Sequence, residues 1–365
     1  MIQRDYKTME NNTYCVIMAG GKGTRFWPRS RKAKPKQFLD ILGTGKTFIR
    51  STYERFAHIV PSERFLVVTH ERYKEQVKKY LPEIADEQIL CEPRSRNTAP
   101  CIAYAAYSLL NRDPNAKMIV TPADHFILQE IDFIEIIKEC LEFIEQNKAL
   151  MTLGVEPSRP DTGYGYIQKS SNALISRVKC FTEKPNLELA QAFVSCGEFL
   201  WNSGIFIWKA SDIVEAFAKH LPEHHALFEA AMEELGTERE AEAIDRIYSE
   251  CKSISIDFGV MEKADNVYVR AGDFGWSDVG TWGSVYQLSQ KDRYANAKPG
   301  GDCYSYDTRR CVISIPRDKI AVVSGLKDYI VVDTPDVLLI CPRSEEQGIK
   351  KYIDDIRFEK GEQHT

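Results

Sequence analysis

The chain has 365 residues, 43% hydrophobic and 28% charged, with 48 basic and 53 acidic side chains giving a net charge of −5. This balance excludes a disordered, collagenous or coiled-coil chain and leaves no net positive field to attract nucleic acid. The length suits two domains, or one large domain with an appendage.

In chain order, the opening MIQRDYKTMENN is polar and lacks the apolar core of a secretion signal, so the sequon Asn11-Asn12-Thr13 is expected to stay unmodified. TYCVIMAG reads as a buried strand ending in glycines, and KTFIRSTYERFAHI has helical spacing. RFLVVTH, EQILCEP, KMIVTPADH and ALMTLGV read as further strands. ERYKEQVKKYL, NTAPCIAYAAYSLLN and IDFIEIIKECLEFIEQN are the helices between them. The alternation predicts a mixed, mainly parallel α/β sheet, with ligands at the carboxyl ends of its strands. The longest apolar stretch, about Cys101–Leu110, contains Tyr and Ser, well short of the roughly 20 apolar residues of a membrane span. The ten cysteines form no CxxC pair, and Cys15 and Cys341 sit in apolar runs, which predicts free thiols in a reducing cytoplasm.

The middle is less regular. GYGYIQ, KCFTEKP and GIFIWK read as short strands, SDIVEAFAKHL and TEREAEAIDRIYSEC as helices, and SIDFGVMEKADNVYVRAGDFGWSDVG as a return to β-structure. His220, His224 and His225 read as a surface cluster at a helix end, since no cysteine or carboxylate trap for zinc surrounds them. From about residue 300, RRCVISIP, KIAVVSG, YIVVDTP and DVLLICP recur at roughly ten-residue spacing, which suggests a small β-helix-like coil closed by the helix EEQGIKKYIDDIRFE. We expect one domain over residues 1–285 and a β-rich module over 286–365, packed on that domain or on a second subunit.

The sharpest local signal is Gly20-Gly21-Lys22-Gly23-Thr24-Arg25, directly after the first strand. Glycines there let backbone N–H groups approach phosphate oxygens, and Arg25 adds a fork for a phosphate; the bland alternative is a tight turn. It is no ordinary dinucleotide fingerprint, because the sixth position from Gly21 is Phe26, and Gly45-Lys46-Thr47 is no Walker loop, because the leading position is Asp40. Lys36 ends a basic loop (Arg29, Arg31, Lys32, Lys34) that either folds over a triphosphate or is merely solvated.

Together GGKGTRFWPRSRKAKPKQFLDILG, EPRSRNTAP, PADH, EKP and WSDVGTW, in that order, resemble the signature of the sugar-phosphate nucleotidyltransferases, in the branch that joins GTP to mannose 1-phosphate. The resemblance runs from about residue 14 into the C-terminal β-module and implies a Rossmann-like (GT-A type) nucleotidyltransferase fold. It implies attack by a sugar-phosphate oxygen on the α-phosphorus of GTP, releasing diphosphate and GDP-mannose. The nucleophile is already an anion, so no general base is required. Positioning and charge neutralisation carry such a step.

The roles follow by resemblance. Arg25 and Lys36 would hold the leaving diphosphate, and Asp124 and Asp278 would bind Mg²⁺, with His125 in a supporting place. Ala19, Gly20, Gly21, Gly23 and Thr24 would line the nucleotide. Guanine presents donors, so an acceptor should read it: Glu92 or the carbonyls of residues 19–21. Asn97 or Thr98 would hold the ribose or cap the helix. Lys184 would neutralise the sugar phosphate, and Glu183, Asn202 and the backbone at Gly165 would meet the sugar. Some family members carry a C-terminal isomerase domain. This sequence stops before it, so a single activity is expected, in a cytoplasmic protein, with a homodimer as one arrangement. Two alternatives stand beside this reading: the same transfer to another hexose or heptose 1-phosphate, and a non-catalytic GDP-mannose sensor. A sensor would be expected to lack Arg25, Lys36, Asp124 or Asp278, and all four are present.

Overall fold

The computed structural model describes residues 12–21 and 23–365, so the polar N-terminal segment, Asn11 and Lys22 lie outside the described residues. The chain forms two compact units, each assembled from separated stretches.

The first unit takes in Met1–Gly20, Tyr53–Ala123 and Ile127–Trp276. Its strands are β1 (Thr13–Met18), β2 (Phe65–His70), β3 (Ile89–Glu92), β4 (Lys117–Pro122), β5 (Leu150–Val155), β6 (Tyr166–Lys169), β7 (Ile175–Thr182), β8 (Phe199–Lys209) and β9 (Val267–Ala271). They form one nine-stranded sheet in the order β3-β2-β1-β4-β8-β5-β9-β7-β6. β1 runs parallel to β2 and β4, and β2 to β3. β8 then runs antiparallel to β4 and β5, while β5 and β9 are parallel, so the sheet is mixed. Continuous apolar text such as CVI and FLVV makes strands buried on both faces, as parallel sheets require. The helix Thr98–Arg112 is buried from Ala99 through Leu109 because small and apolar side chains cover nearly all of its faces. Strand order reverses between β1 and β4, so the crevice such a sheet offers lies where β1 runs into Ala19-Gly20 and β4 into Ala123.

Two expectations are corrected here. SIDFGVM is not β-structure: Asp257–Met261 is a single π-helical turn, closed by the Glu262 N–H donating to the Asp257 carbonyl at 2.9 Å, and the strand begins at Val267. Ser255 and Ile256 are buried, Asp257 and Phe258 are not, and Gly259, Val260 and Met261 are buried again, a helical grouping rather than an alternating one. The histidine group is not a surface cluster, because His224 is only 3% exposed and its Nε2 meets the Lys252 carbonyl at 2.9 Å.

The second unit takes in Gly21–Thr52, Asp124–Phe126 and Ser277–Thr365. Its strands are β10 (Asp302–Tyr306), β11 (Val312–Ser314), β12 (Ile320–Ser324), β13 (Tyr329–Asp333) and β14 (Leu338–Pro342). β10 pairs parallel with β12, Asp302 facing Ile320, and β11 with β13, Val312 facing Ile330. Both offsets are 18 residues (320 − 302 and 330 − 312), so the strands stack as successive turns of a coil. Val312, Ile330, Val332, Leu339 and Cys341 form one core with Phe26, Trp27, Phe48 and Trp282 and with Ile349 and Ile353 of the helix Ile349–Lys360. The ten cysteines are free thiols, Cys15 and Cys341 among the buried ones. Among the described residues no helix is long and apolar enough to cross a membrane.

Candidate functional site

Within the second unit, Gly23, Thr24, Arg25, Phe26, Lys36, Asp124, His125, Asp278 and Gly280 line a cavity of about 230 Å³. The loop after Gly21 is shaped by Gly23, whose φ of 56° lies in the left-handed region and whose missing Cβ would fall 2.5 Å from the Lys36 Cβ. Phe26 and Trp27 drop into the core, Phe26 edge-on to Trp282 at 5.3 Å, so the exposed Thr24 and Arg25 ride on a buried anchor. The rest of the basic loop serves as a fastening. Arg31 makes a two-pronged pair with Asp336, both contacts at 2.7 Å; Arg29 reaches Ser314 Oγ at 3.0 Å; Lys32 meets Glu362 at 2.9 Å. The Arg31 pair and His364 hold the Asp336 carboxyl well below its ordinary range.

Lys36 is the buried basic residue of that loop, only 4% exposed. Its ammonium meets three oxygens: Asp124 Oδ2 at 3.0 Å, the Asp124 carbonyl at 2.9 Å and the Asp278 carbonyl at 2.5 Å. The Phe48 and Phe26 rings lie 4.9 and 5.8 Å from it. Burial by itself would raise the Asp124 carboxyl; Lys36 first and His125 second outweigh it and hold the group below its ordinary value. Asp278 precedes Val279, a fully buried residue at φ 44°, and its Oδ1 accepts from the Gly280 N–H at 3.1 Å. A β-branched residue in that region carries about 1–3 kcal/mol of strain, a cost typical of loops that aim a functional group. A Cβ on Gly280 would stand 2.7 Å from Asp278 Oδ2 and 3.2 Å from Arg25 Nη1, which places that guanidinium beside this carboxylate.

This donor set suits a small hard cation. Asp124 and Asp278 offer carboxylate oxygens, and among the described residues no group of three or more acidic, histidine or cysteine side chains forms a complete cage. Magnesium-like ions take one or two protein carboxylates and complete their shell with phosphates and waters.

The other expected nucleotide residues lie in the first unit. The Ala19 carbonyl accepts the Thr69 hydroxyl at 3.0 Å, so one of the acceptors proposed for the base is already engaged. Glu92, at the end of β3, is 5% exposed; its Oε1 accepts from Tyr248 at 2.9 Å, and its Oε2 is 3.4 Å from where a Cβ on Gly20 would stand. Asn97 caps the helix Thr98–Arg112, its Oδ1 accepting the Thr98 N–H at 2.9 Å, while Thr98 Oγ1 accepts the Ile256 N–H at 2.9 Å and fixes that distant segment.

Burial pushes the Glu92 carboxyl up to about 7, against the lowering effect of the Tyr248 bond. A carboxyl raised on folding binds more protons in the folded than the unfolded chain between those two values, so it removes stability as pH climbs from about 4.5 towards 7, by at most about 1.4 kcal/mol per pH unit. Glu92→Gln keeps the acceptor for Tyr248 and loses the charge. Urea midpoints should therefore match wild type near pH 4.5 and exceed it above pH 7; parallel curves across this range would exclude the effect.

The four expected sugar residues come together, also in the first unit. A Cβ on Gly165 would lie 2.5 Å from Glu183 Oε2 and 3.4 Å from the Asn202 Cβ, so only glycine admits the Glu183 carboxylate there. The Asn202 N–H donates to the Gly165 carbonyl at 2.8 Å. Lys184, at φ 46° and mostly exposed, pairs with the buried Glu183 carboxylate. The residue the sequence reading missed is Asp257, whose Oδ1 accepts from Asn202 Nδ2 at 2.9 Å. Its signal was a lone acid between apolar neighbours in SISIDFGVM, hidden by the β-reading of that stretch.

Comparison with known proteins places this geometry. Residues 14–294 match the family model described as nucleotidyl transferase, and residues 301–356 match the mannose-phosphate isomerase/GMP-like beta-helix domain. The chain is 36% identical over 360 residues to a mannose-1-phosphate guanylyltransferase of Salmonella montevideo, covering 96% of this chain and 75% of that one. It is 35% identical over 366 residues to mannose-1-phosphate guanylyltransferase ManC of Salmonella typhimurium, covering 97% and 75%. The crystal structure of mannose-1-phosphate geranyltransferase from Thermus thermophilus superposes with a TM-score of 0.84 at 31% identity, over 95% of this chain and 99% of that one. With the sheet, the 18-residue coil and the cation-and-carboxylate pocket in place, the chain belongs to the nucleotidyl transferase family and is a nucleotidyltransferase.

Proposed function

We propose that this nucleotidyltransferase joins GTP and α-D-mannose 1-phosphate to give GDP-mannose and diphosphate, with Mg²⁺ as the metal. The observation that carries the reading is the meeting of Arg25 and Lys36 with Asp124 and Asp278 around one small cavity. Two cations and two carboxylates suit a polyphosphate bound with a hard divalent ion. Asp124 and Asp278 would hold that ion, which when bound neutralises charge on the phosphates. Arg25, exposed on its anchored loop, takes the leaving diphosphate. Lys36 fixes Asp124 and the backbone at Asp278, so the carboxylates are oriented before substrate arrives. Ala19, Gly20, Gly21, Gly23 and Thr24 serve the nucleotide phosphates, and Glu92, Asn97 and Thr98 the nucleoside.

Gly165, Glu183, Lys184 and Asn202 serve the sugar phosphate, and the names of the relatives support mannose as that sugar. We assign catalysis to residues 1–285 and a supporting role to 286–365, in a cytoplasmic protein that needs neither nucleic acid nor membrane, with a homodimer as one arrangement open to it. Diphosphate release should be measured with Mg²⁺, crossing GTP, ATP, UTP and dTTP against mannose, glucose and heptose 1-phosphates. Strong turnover with GTP and mannose 1-phosphate alone is expected. Turnover with a different sugar would move the specificity, and none at all with tight GDP-mannose binding would make the chain a sensor.

A further inference from the structure

We propose that Asp257 is a positioning and specificity-determining residue for a sugar bearing adjacent hydroxyls, because it aims the Asn202 amide and shares the sugar cluster with Glu183. This rests on the assignment of that cluster to the sugar phosphate. Four observations carry it. The Asn202 amide has a fixed sense: Oδ1 accepts the Gly204 N–H at 3.2 Å and the Thr152 hydroxyl at 2.8 Å, so Nδ2 must face Asp257 Oδ1, 2.9 Å away. One Nδ2 hydrogen is thereby used, and the other remains for a ligand.

Asp257 opens the π-helical turn Asp257–Met261, a rare conformation that is frequent at functional sites. That turn is held from outside itself, by Thr98 Oγ1 on the Ile256 N–H. Lastly, two carboxyls belong to one cluster. The charged groups facing Asp257 are Glu183 and, more weakly, Lys184; Glu262, at the end of the same turn, accepts the Glu183 N–H at 3.1 Å. Burial first and Glu183 second push the Asp257 carboxyl up to about 7. Two carboxylate acceptors with one fixed amide donor in the same cluster are the chemistry that recognises a vicinal diol, and a missing or inverted hydroxyl leaves one acceptor unpaired.

The test is initial-rate kinetics on the full chain with Asp257→Asn and Asp257→Glu. Asp257→Asn keeps an acceptor for Asn202 and removes the charge. It should raise KM for mannose 1-phosphate by about tenfold or more, since a bond to a charged acceptor is lost, and leave KM for GTP unchanged. Wild-type kcat/KM for the sugar phosphate should rise between about pH 6 and 8 as Asp257 loses its proton. Asp257→Asn should flatten that rise, and Asp257→Glu should retain it. An unchanged sugar KM and an unchanged pH profile in Asp257→Asn would overturn the proposal, as would an equal loss on GTP. Calorimetric binding of GDP-mannose decides the same question without turnover: weakening by Asp257→Asn supports the role, and equal affinity removes it. If wild type turns over only another sugar 1-phosphate, the assignment to mannose fails and the same comparison on that sugar still decides Asp257.

Discussion

Asp124→Asn should lower kcat by about a thousandfold while leaving the protein folded. Asparagine has the shape of aspartate and can still accept from Lys36, whose ammonium also stays bound to the backbone carbonyls of residues 124 and 278. The loop geometry should therefore survive, and circular dichroism and the melting temperature should change little. What is lost is the negative charge that a divalent ion needs and that Lys36 and His125 already hold in its ionised form. Among the described residues two carboxylates line the pocket, so removing one should leave too little charge to recruit the ion from solution. Turnover across a metal titration is the measurement. Near-normal turnover with an unchanged metal requirement would remove Asp124 from the cation site.

Lys36→Met should be nearly as damaging and should also cost stability. Methionine preserves the apolar stem between Phe26 and Phe48 but abolishes the contacts to Asp124 Oδ2 and to two main-chain oxygens. Leaving those oxygens unmet should lower unfolding stability by about 1–3 kcal/mol, a figure tempered by the partial exposure of Asp124. Turnover should fall by about a hundredfold or more, because the carboxylate is no longer held where the phosphates need it. A loss of stability with wild-type turnover would make Lys36 a strut alone. A loss of turnover that a longer-reach cation such as Arg restores would instead place its charge on the substrate.

Much of the sheet was legible because its signals are local. Runs such as FLVV and MIV bury on both faces wherever they sit, and the spacing of IDFIEIIKECLEFIEQN admits a helix without reference to anything else. Part of the coil was legible for the same reason, since VIS, IAVVS and YIVVD are short β-branched runs between turns; its first strand, DCYSY, has no β-branched residue and went unread, and LLICP pairs antiparallel with β13 rather than adding a turn. The misreadings are non-local. Asp257 lies in a π-turn because Thr98, 158 residues from Ile256, takes the Ile256 N–H. His224 is buried because Lys252 offers it a carbonyl. The basic loop could not be divided from sequence into fastening and chemistry, since the acids that claim Arg31 and Lys32 lie 305 and 330 residues further on, at Asp336 and Glu362. In the site, residue types revealed the candidates, and only the fold showed that Lys36 grips Asp124 and that Asn202 has a second carboxyl beside it.

The fastening of the loop around Arg25 also sets a timetable. Trp27 Nε1 donates to the His364 carbonyl across 337 residues of chain, and Arg31 reaches Asp336 across 305. At typical synthesis rates of about 5–20 residues per second, the ribosome reaches those partners roughly 15–60 seconds after it makes the loop. The nine strands of the first unit are complete by Ala271 and can zip up meanwhile, whereas the segment bearing Arg25 must wait with its core aromatics uncovered. A nascent chain should thus acquire its sheet early and its catalytic competence last. Slow codons or chaperone contact in the final hundred residues would act on activity more than on solubility.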